Sequence, residues 1–151
     1  MAGSLALVLS VSVRAGNEAN AGRAARSRPP VVTDVAAGSS FRNHVIPVLT
    51  KAGCNSGACH GAAAGKNGFN LTLRGYDPDA DFEALTRQAA GRRVNGLDPA
   101  RSLLLLKPTE AVPHLGGQRF AADSPEYAVL ARWIASGAPG PSATDPHLVR
   151  I

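Results

Sequence analysis

Two cysteines and four histidines carry most of the chemistry available to this 151-residue chain. The cysteines are close neighbours in Cys54-Asn55-Ser56-Gly57-Ala58-Cys59, and His60 follows at once. A histidine directly after a close cysteine pair is the pattern by which a c-type haem is attached. Each thiol adds to one vinyl group, so both sulfurs must reach neighbouring edges of one porphyrin, and the adjacent imidazole falls beneath the iron. The usual spacing leaves two residues between the cysteines; here there are four. Those four are small, and a positive φ at Gly57 would let the longer loop fold back. The same residues admit three other readings. They are a structural disulfide in an exported protein, a zinc site completed by another histidine, and a chance pair of buried thiols.

A c-type iron needs a second axial ligand, or leaves that position open. Methionine is a common choice, but Met1 is the only one and lies in an apolar leader-like segment. His44, His114 and His147 remain, with the lysines as weaker candidates. His114 is the strongest: it stands in a loop well downstream of His60, between Pro113 and Leu115-Gly116-Gly117. Proline stiffens that approach, and the glycines let backbone pass close to a flat ligand. His44 reads as a helix-surface residue, and His147 lies in the tail. Two histidines on one iron predict a lower potential than a Met/His pair. Without His114 the position would be open to a small gas or peroxide. Arg74, Arg92, Arg93 and Arg119 are candidates to pair with haem propionates, although each alone reads as a solvated arginine. Asp77, Asp79 and Asp81 lack the downstream spacing of a calcium loop and read as helix-capping charge.

The elements that must position these residues are helical. Phe41, Val45, Val48, Leu49 and Ala52 fall near helical spacing after a capping serine, with Pro47 expected to kink or shorten the run and Gly53 to stop it. Residues 61–75 are glycine-rich and irregular. Asp77-Pro78 opens a short helix through Phe82, Leu85 and Thr86. Asp98-Pro99 is a cap-plus-N1 pair leading to Ser102 and Leu103–Leu106, which Pro108 ends. Residues 108–123 are loop. The last helix has Ser124 as N-cap, Pro125 at N1, an apolar face of Tyr127, Leu130, Trp133 and Ile134, and Gly137 at C′. Tyr127 and Trp133 read as packing residues.

Composition sets the frame. Hydrophobic residues make up 44% of the chain but aromatics only 5%. With alanine so abundant, a cofactor with a broad apolar face would help fill the core. The formal charge is +5, but arginines 23, 26 and 28 fall in an N-terminal linker, and no basic run interleaves with aromatics. Nucleic acid is therefore a poor partner, whereas a mild attraction to acidic redox partners remains. Leu5 to Val13 is too short to span a bilayer and suits a signal h-region of ~7–15 residues. Cleavage would follow Ala19-Asn20-Ala21 or Val13-Arg14-Ala15.

The chain resembles the planctomycete-type cytochrome c domain, whose members carry a C-x4-C-H attachment loop. The resemblance rests on FRNHVIPVLTKAGCNSGACHG, GFNLTLRGYDPDADF, GRRVN, SLLLLKP, VPHLGGQRF and YAVLARWIASGAP, in that order across residues 41–139. It implies an all-α, small cytochrome c-like domain with long irregular loops around one covalent haem c. Cys54 and Cys59 would be the thioether positions and His60 the proximal ligand. Haem of this kind is attached outside the bacterial cytoplasm, so the resemblance also implies a periplasmic or secreted protein. The expected organisation is a signal peptide at 1–21, a flexible linker at 22–38, the haem domain at 39–140 and a tail at 141–151. The alternating residues 147–151 read as the start of a strand, as if a larger domain followed. The expected role is one-electron transfer, not turnover, with a redox protein or a downstream domain as partner and no membrane span. The competing expectations are a haem-based sensor or peroxide-handling site, and a disulfide-bonded interaction domain without haem.

Overall fold

The structure is a computed structural model and describes residue 3 and residues 39–146. The predicted signal, the linker and residues 147–151, with His147, lie outside the described residues. Among those described, the chain is helical and forms no strand; an isolated bridge joins Lys66 and Phe69. No helix there is long and apolar enough to cross a membrane.

The first element shows how proline is accommodated. Ser40 caps it, its Oγ accepting from the Asn43 backbone N–H at 3.1 Å. Pro47 has no N–H for the Asn43 carbonyl, and its ring would crowd that carbonyl in a regular helix. The turn Phe41–Val45 is wound as π-helix, with the Ile46 N–H reaching the Phe41 carbonyl. Regular helix α1 then runs over Ile46–Lys51, with proline in its first turn. The predicted kink is thus a one-residue widening. Gly53, at φ 74°, ends α1 in a Schellman motif: the Cys54 N–H bonds the Leu49 carbonyl and the Gly53 N–H that of Thr50. The helix terminus therefore fixes where Cys54 begins.

Helix α2 (Pro78–Thr86) starts at Asp77, whose carboxylate accepts from the Ala80 N–H. Only this aspartate of the three caps the helix. Asp79 pairs with Arg42 across the surface at 2.8 Å. Asp81 is buried and clasps Thr72, accepting from its N–H at 2.6 Å and its hydroxyl at 2.9 Å. The reading of all three as capping charge is corrected accordingly. The Asp98-Pro99 pair opens only a 3₁₀ turn, Pro99–Arg101, with no bond from the Asp98 side chain to the helix start. Asn95 Oδ1 instead accepts the N–H groups of Leu97 and Asp98. Helix α3 is the short run Leu103–Leu106.

Helix α4 (Pro125–Ala135) follows the sequence expectation closely. Ser124 Oγ accepts from the Tyr127 N–H. Gly137, at φ 90°, closes a second Schellman motif, with Ala138 N–H on the Trp133 carbonyl. Leu130, Trp133 and Ile134 are fully buried against Phe41, Leu49, Leu85 and Leu105. The Trp133 indole N–H donates to the Pro139 carbonyl at 2.9 Å, as a buried indole requires. Residues past the expected boundary at 140 remain attached: the Pro146 carbonyl accepts from the Asn43 amide, and Asp145 approaches Arg42.

Candidate functional site

The loop from Cys54 to His60 is built from the end of α1. Cys54 is held by the Schellman motif, and the His60 N–H returns to the Cys54 carbonyl at 2.9 Å, closing the loop on itself. Asn55 turns inward, almost fully buried. Its side-chain amide donates to Thr50 Oγ1, and its carbonyl accepts from the Arg74 N–H. Gly57 is not among the residues with positive φ, which corrects the expectation that it supplies the fold-back. The glycine that the loop needs is Gly61, where a Cβ would stand 2.2 Å from the Asn55 carbonyl oxygen. Close approach of two backbone segments, not a left-handed residue, makes the four-residue spacer possible.

His60 faces a cavity of about 510 Å³ whose wall also includes Cys54, Cys59 and His114. The sequence-predicted residues thus come together. His44 does not join them; it is exposed, and its Nδ1 accepts from the Ser40 N–H. The His60 and His114 rings are 6.4 Å apart between centroids and within 14° of parallel. Each imidazole is oriented through Nδ1. The Phe69 carbonyl lies 3.1 Å from His60 Nδ1, and the Gly117 carbonyl 2.9 Å from His114 Nδ1. With Nδ1 donating its proton to a carbonyl, Nε2 carries the lone pair, the tautomer a metal ligand needs.

Burial pushes His60 below the ordinary histidine value; the Phe69 bond opposes this, and His114, Arg93 and Arg119 reinforce it. Burial thus favours the neutral ring. Burial raises the Cys54 thiol to about 11, with Arg119 partly offsetting it. Cys54 is thus a thiol, not a thiolate, at neutral pH in the metal-free chain. No three of His, Cys, Asp or Glu among the described residues group closely enough to hold a metal ion. Both cysteines are free thiols.

Apart from Asn67, the rest of the wall is apolar or cationic. Leu49, Phe69, Leu71, Leu85 and Leu104 supply hydrocarbon; Lys66, Arg92, Arg93, Lys107 and Arg119 supply charge; no carboxylate lines the cavity. Three of the four arginines singled out in the sequence thus line one cavity, and Arg74 lies outside it, exposed. Arg93 corrects the expectation of solvation. It is 6% exposed and donates to the carbonyls of Ala84, Gln88 and Gly68. Arg119 Nη2 lies 3.3 Å from Cys59 Sγ. A wall of this composition fits a flat apolar group that carries carboxylates. His60 and His114 are the residues that would hold a metal carried by such a group.

Sequence reasoning missed the carbonyls of Phe69 and Gly117, because main-chain acceptors leave no mark in residue type. It also missed the part of Gly116, where a Cβ would stand 2.8 Å from Cε1 of the His114 ring. Comparison with protein-family models, with curated proteins and with solved structures finds no match.

Proposed function

We propose that the chain is a c-type cytochrome domain of the planctomycete type, an electron-transfer module rather than an enzyme. In this reading one haem c is joined to Cys54 and Cys59 and ligated by His60 and His114. The observation that carries it is the convergence of Cys54, Cys59, His60 and His114 on one cavity, the two histidine rings 6.4 Å apart and each with Nδ1 tied to a carbonyl. When bound, haem supplies one-electron Fe(II)/Fe(III) cycling, and the protein sets the potential through ligands, burial and hydrogen bonds.

The chain's own residues divide the remaining tasks. His60 is held on three sides, through its N–H, its carbonyl (which accepts from the Leu71 N–H at 2.8 Å) and Nδ1. The leucines and Phe69 exclude water from the flat faces. Lys66 and Arg92 are exposed at the cavity and make no ion pair, so they are free to meet propionates. The protein is exported in this account, and its partner is a redox protein or a domain that follows in the same chain.

Expression with a c-type maturation system tests the reading. The expected result is a Soret band that stays with the chain after denaturation, with a low-spin spectrum that reduced protein keeps under carbon monoxide. Ready carbon monoxide binding would remove His114 as a ligand and favour a sensor or peroxide-handling site.

A further inference from the structure

Arg93 is a buried guanidinium with no carboxylate beside it. Burial alone would make this costly, since buried charges are ordinarily paired. Its compensation comes from three main-chain carbonyls, Ala84 at 2.9 Å, Gln88 at 3.1 Å and Gly68 at 3.1 Å. These leave its charge delocalised but not neutralised. The guanidinium also lies over the Phe69 ring, 4.4 Å from its centroid. The Phe69 ring in turn sits 4.5 Å from the His60 ring, and the Phe69 carbonyl is the partner of His60 Nδ1. Two steps of 4.4 and 4.5 Å therefore bring the positive charge within about 9 Å of the imidazole.

The contact geometry is a strut. Arg93 grips the Gly68 carbonyl on one side of a peptide and the Phe69 ring on the other. That peptide is the one preceding the carbonyl that orients His60. It lies in the glycine-rich segment, between Gly65 at φ 61° and Gly75 at φ 71°, where the Lys66–Phe69 bridge is its main-chain support and Arg93 its side-chain one. We propose that Arg93 is a positioning residue for His60, fixing the ring through Gly68–Phe69 and raising the potential of the bound iron by its unneutralised charge. The inference rests on the haem reading. In that setting a nearby cation disfavours Fe(III) more than Fe(II), so it offsets part of the low potential that two histidines impose.

The test uses the full chain, matured with haem, as Arg93→Gln, Arg93→Lys and unaltered protein. Spectroelectrochemical titration and low-temperature electron paramagnetic resonance are recorded on each, with thermal unfolding alongside. Arg93→Gln removes the charge, and the Fe(II)/Fe(III) ratio at fixed potential is expected to fall about tenfold, ~59 mV for one electron. Arg93→Lys keeps the charge but not the fork of three bonds. It is expected to restore most of the potential while shifting the low-spin g-values, because the ring is held less firmly. Loss of thermal stability alone, in both variants, would indicate a merely structural arginine. An unchanged potential in Arg93→Gln with the two-histidine spectrum intact overturns the proposal. If Arg93→Gln does not fold, Arg93→Lys with unaltered g-values overturns it. Absence of covalent haem from the unaltered protein overturns the haem reading itself, a different result from either.

Discussion

His60 and His114 face the same cavity but are held very differently. His60 is tied to Cys54, Phe69 and Leu71, three points distant from its own turn. The His114 ring bonds only the Gly117 carbonyl three residues on, and the Gly117 N–H returns to the His114 carbonyl. His114, the proposed distal ligand, is therefore oriented by its own loop. Replacing His114 by Ala is expected to leave covalent haem in place, convert the iron from low-spin and open it to carbon monoxide, read by difference spectra. Gly116→Ala is a subtler test, since the added methyl would meet the His114 ring at 2.8 Å. Partial carbon monoxide binding is expected there, with unfolding little changed. Cys54→Ala and Cys59→Ala should each leave one thioether, seen as retained haem mass with a shifted Soret band.

At the scale of elements, helix ends position the chemistry. Gly53 sets the start of the attachment loop from a left-handed conformation that only glycine adopts at little cost. Gly53→Ala is expected to lower stability by about 1 kcal/mol or more in chemical denaturation, and to reduce haem attachment because Cys54 is misplaced. The Thr72–Asp81 clasp gives a pH signature. Burial raises the Asp81 carboxyl above its ordinary value, with the two Thr72 bonds opposing. A raised folded-state value means that the folded chain holds the proton longer than the unfolded one. This contribution is fully present below the ordinary aspartate value near 3.8 and is lost as pH rises through the raised one. The stability of the wild type relative to Asp81→Asn should therefore decline with rising pH across that window; a rise would contradict the assignment.

Capping residues made α4 and the end of α1 legible in the sequence, because serine, proline and glycine at helix ends act through local geometry. The α3 region was less legible. Asp98-Pro99 looks like a helix start, but Asn95 takes the N–H groups there, and the chain makes a 3₁₀ turn. The gathering of Cys54, Cys59, His60 and His114 at one cavity was legible, because their chemistry is written in side chains. It was not legible where it depends on carbonyls or on burial across distant segments, as with Phe69, Gly117, Arg93 and Asp81.

For the whole molecule, the balance between a small core and a large cavity matters most. The fully buried residues Phe41, Leu49, Leu85, Leu105, Leu130, Trp133 and Ile134 join the helices. Leu49 and Leu85 of that core also line the cavity of about 510 Å³, together with other leucines and cations. In the haem account the cofactor completes the core, so the haem-free chain should be much less stable. Leu105→Ala should cost ~2–5 kcal/mol in the loaded protein. Haem-loaded and haem-free chains compared by thermal melts should differ by far more than any single core substitution.

Covalent haem is tested most directly by the mass of the purified chain after maturation in an exporting host, with its absorption spectrum in denaturant. The expected result is one haem added to one chain, lost from the Cys54→Ala, Cys59→Ala double variant. A chain at its unmodified mass, or one lighter by two protons through a Cys54–Cys59 disulfide, would contradict it.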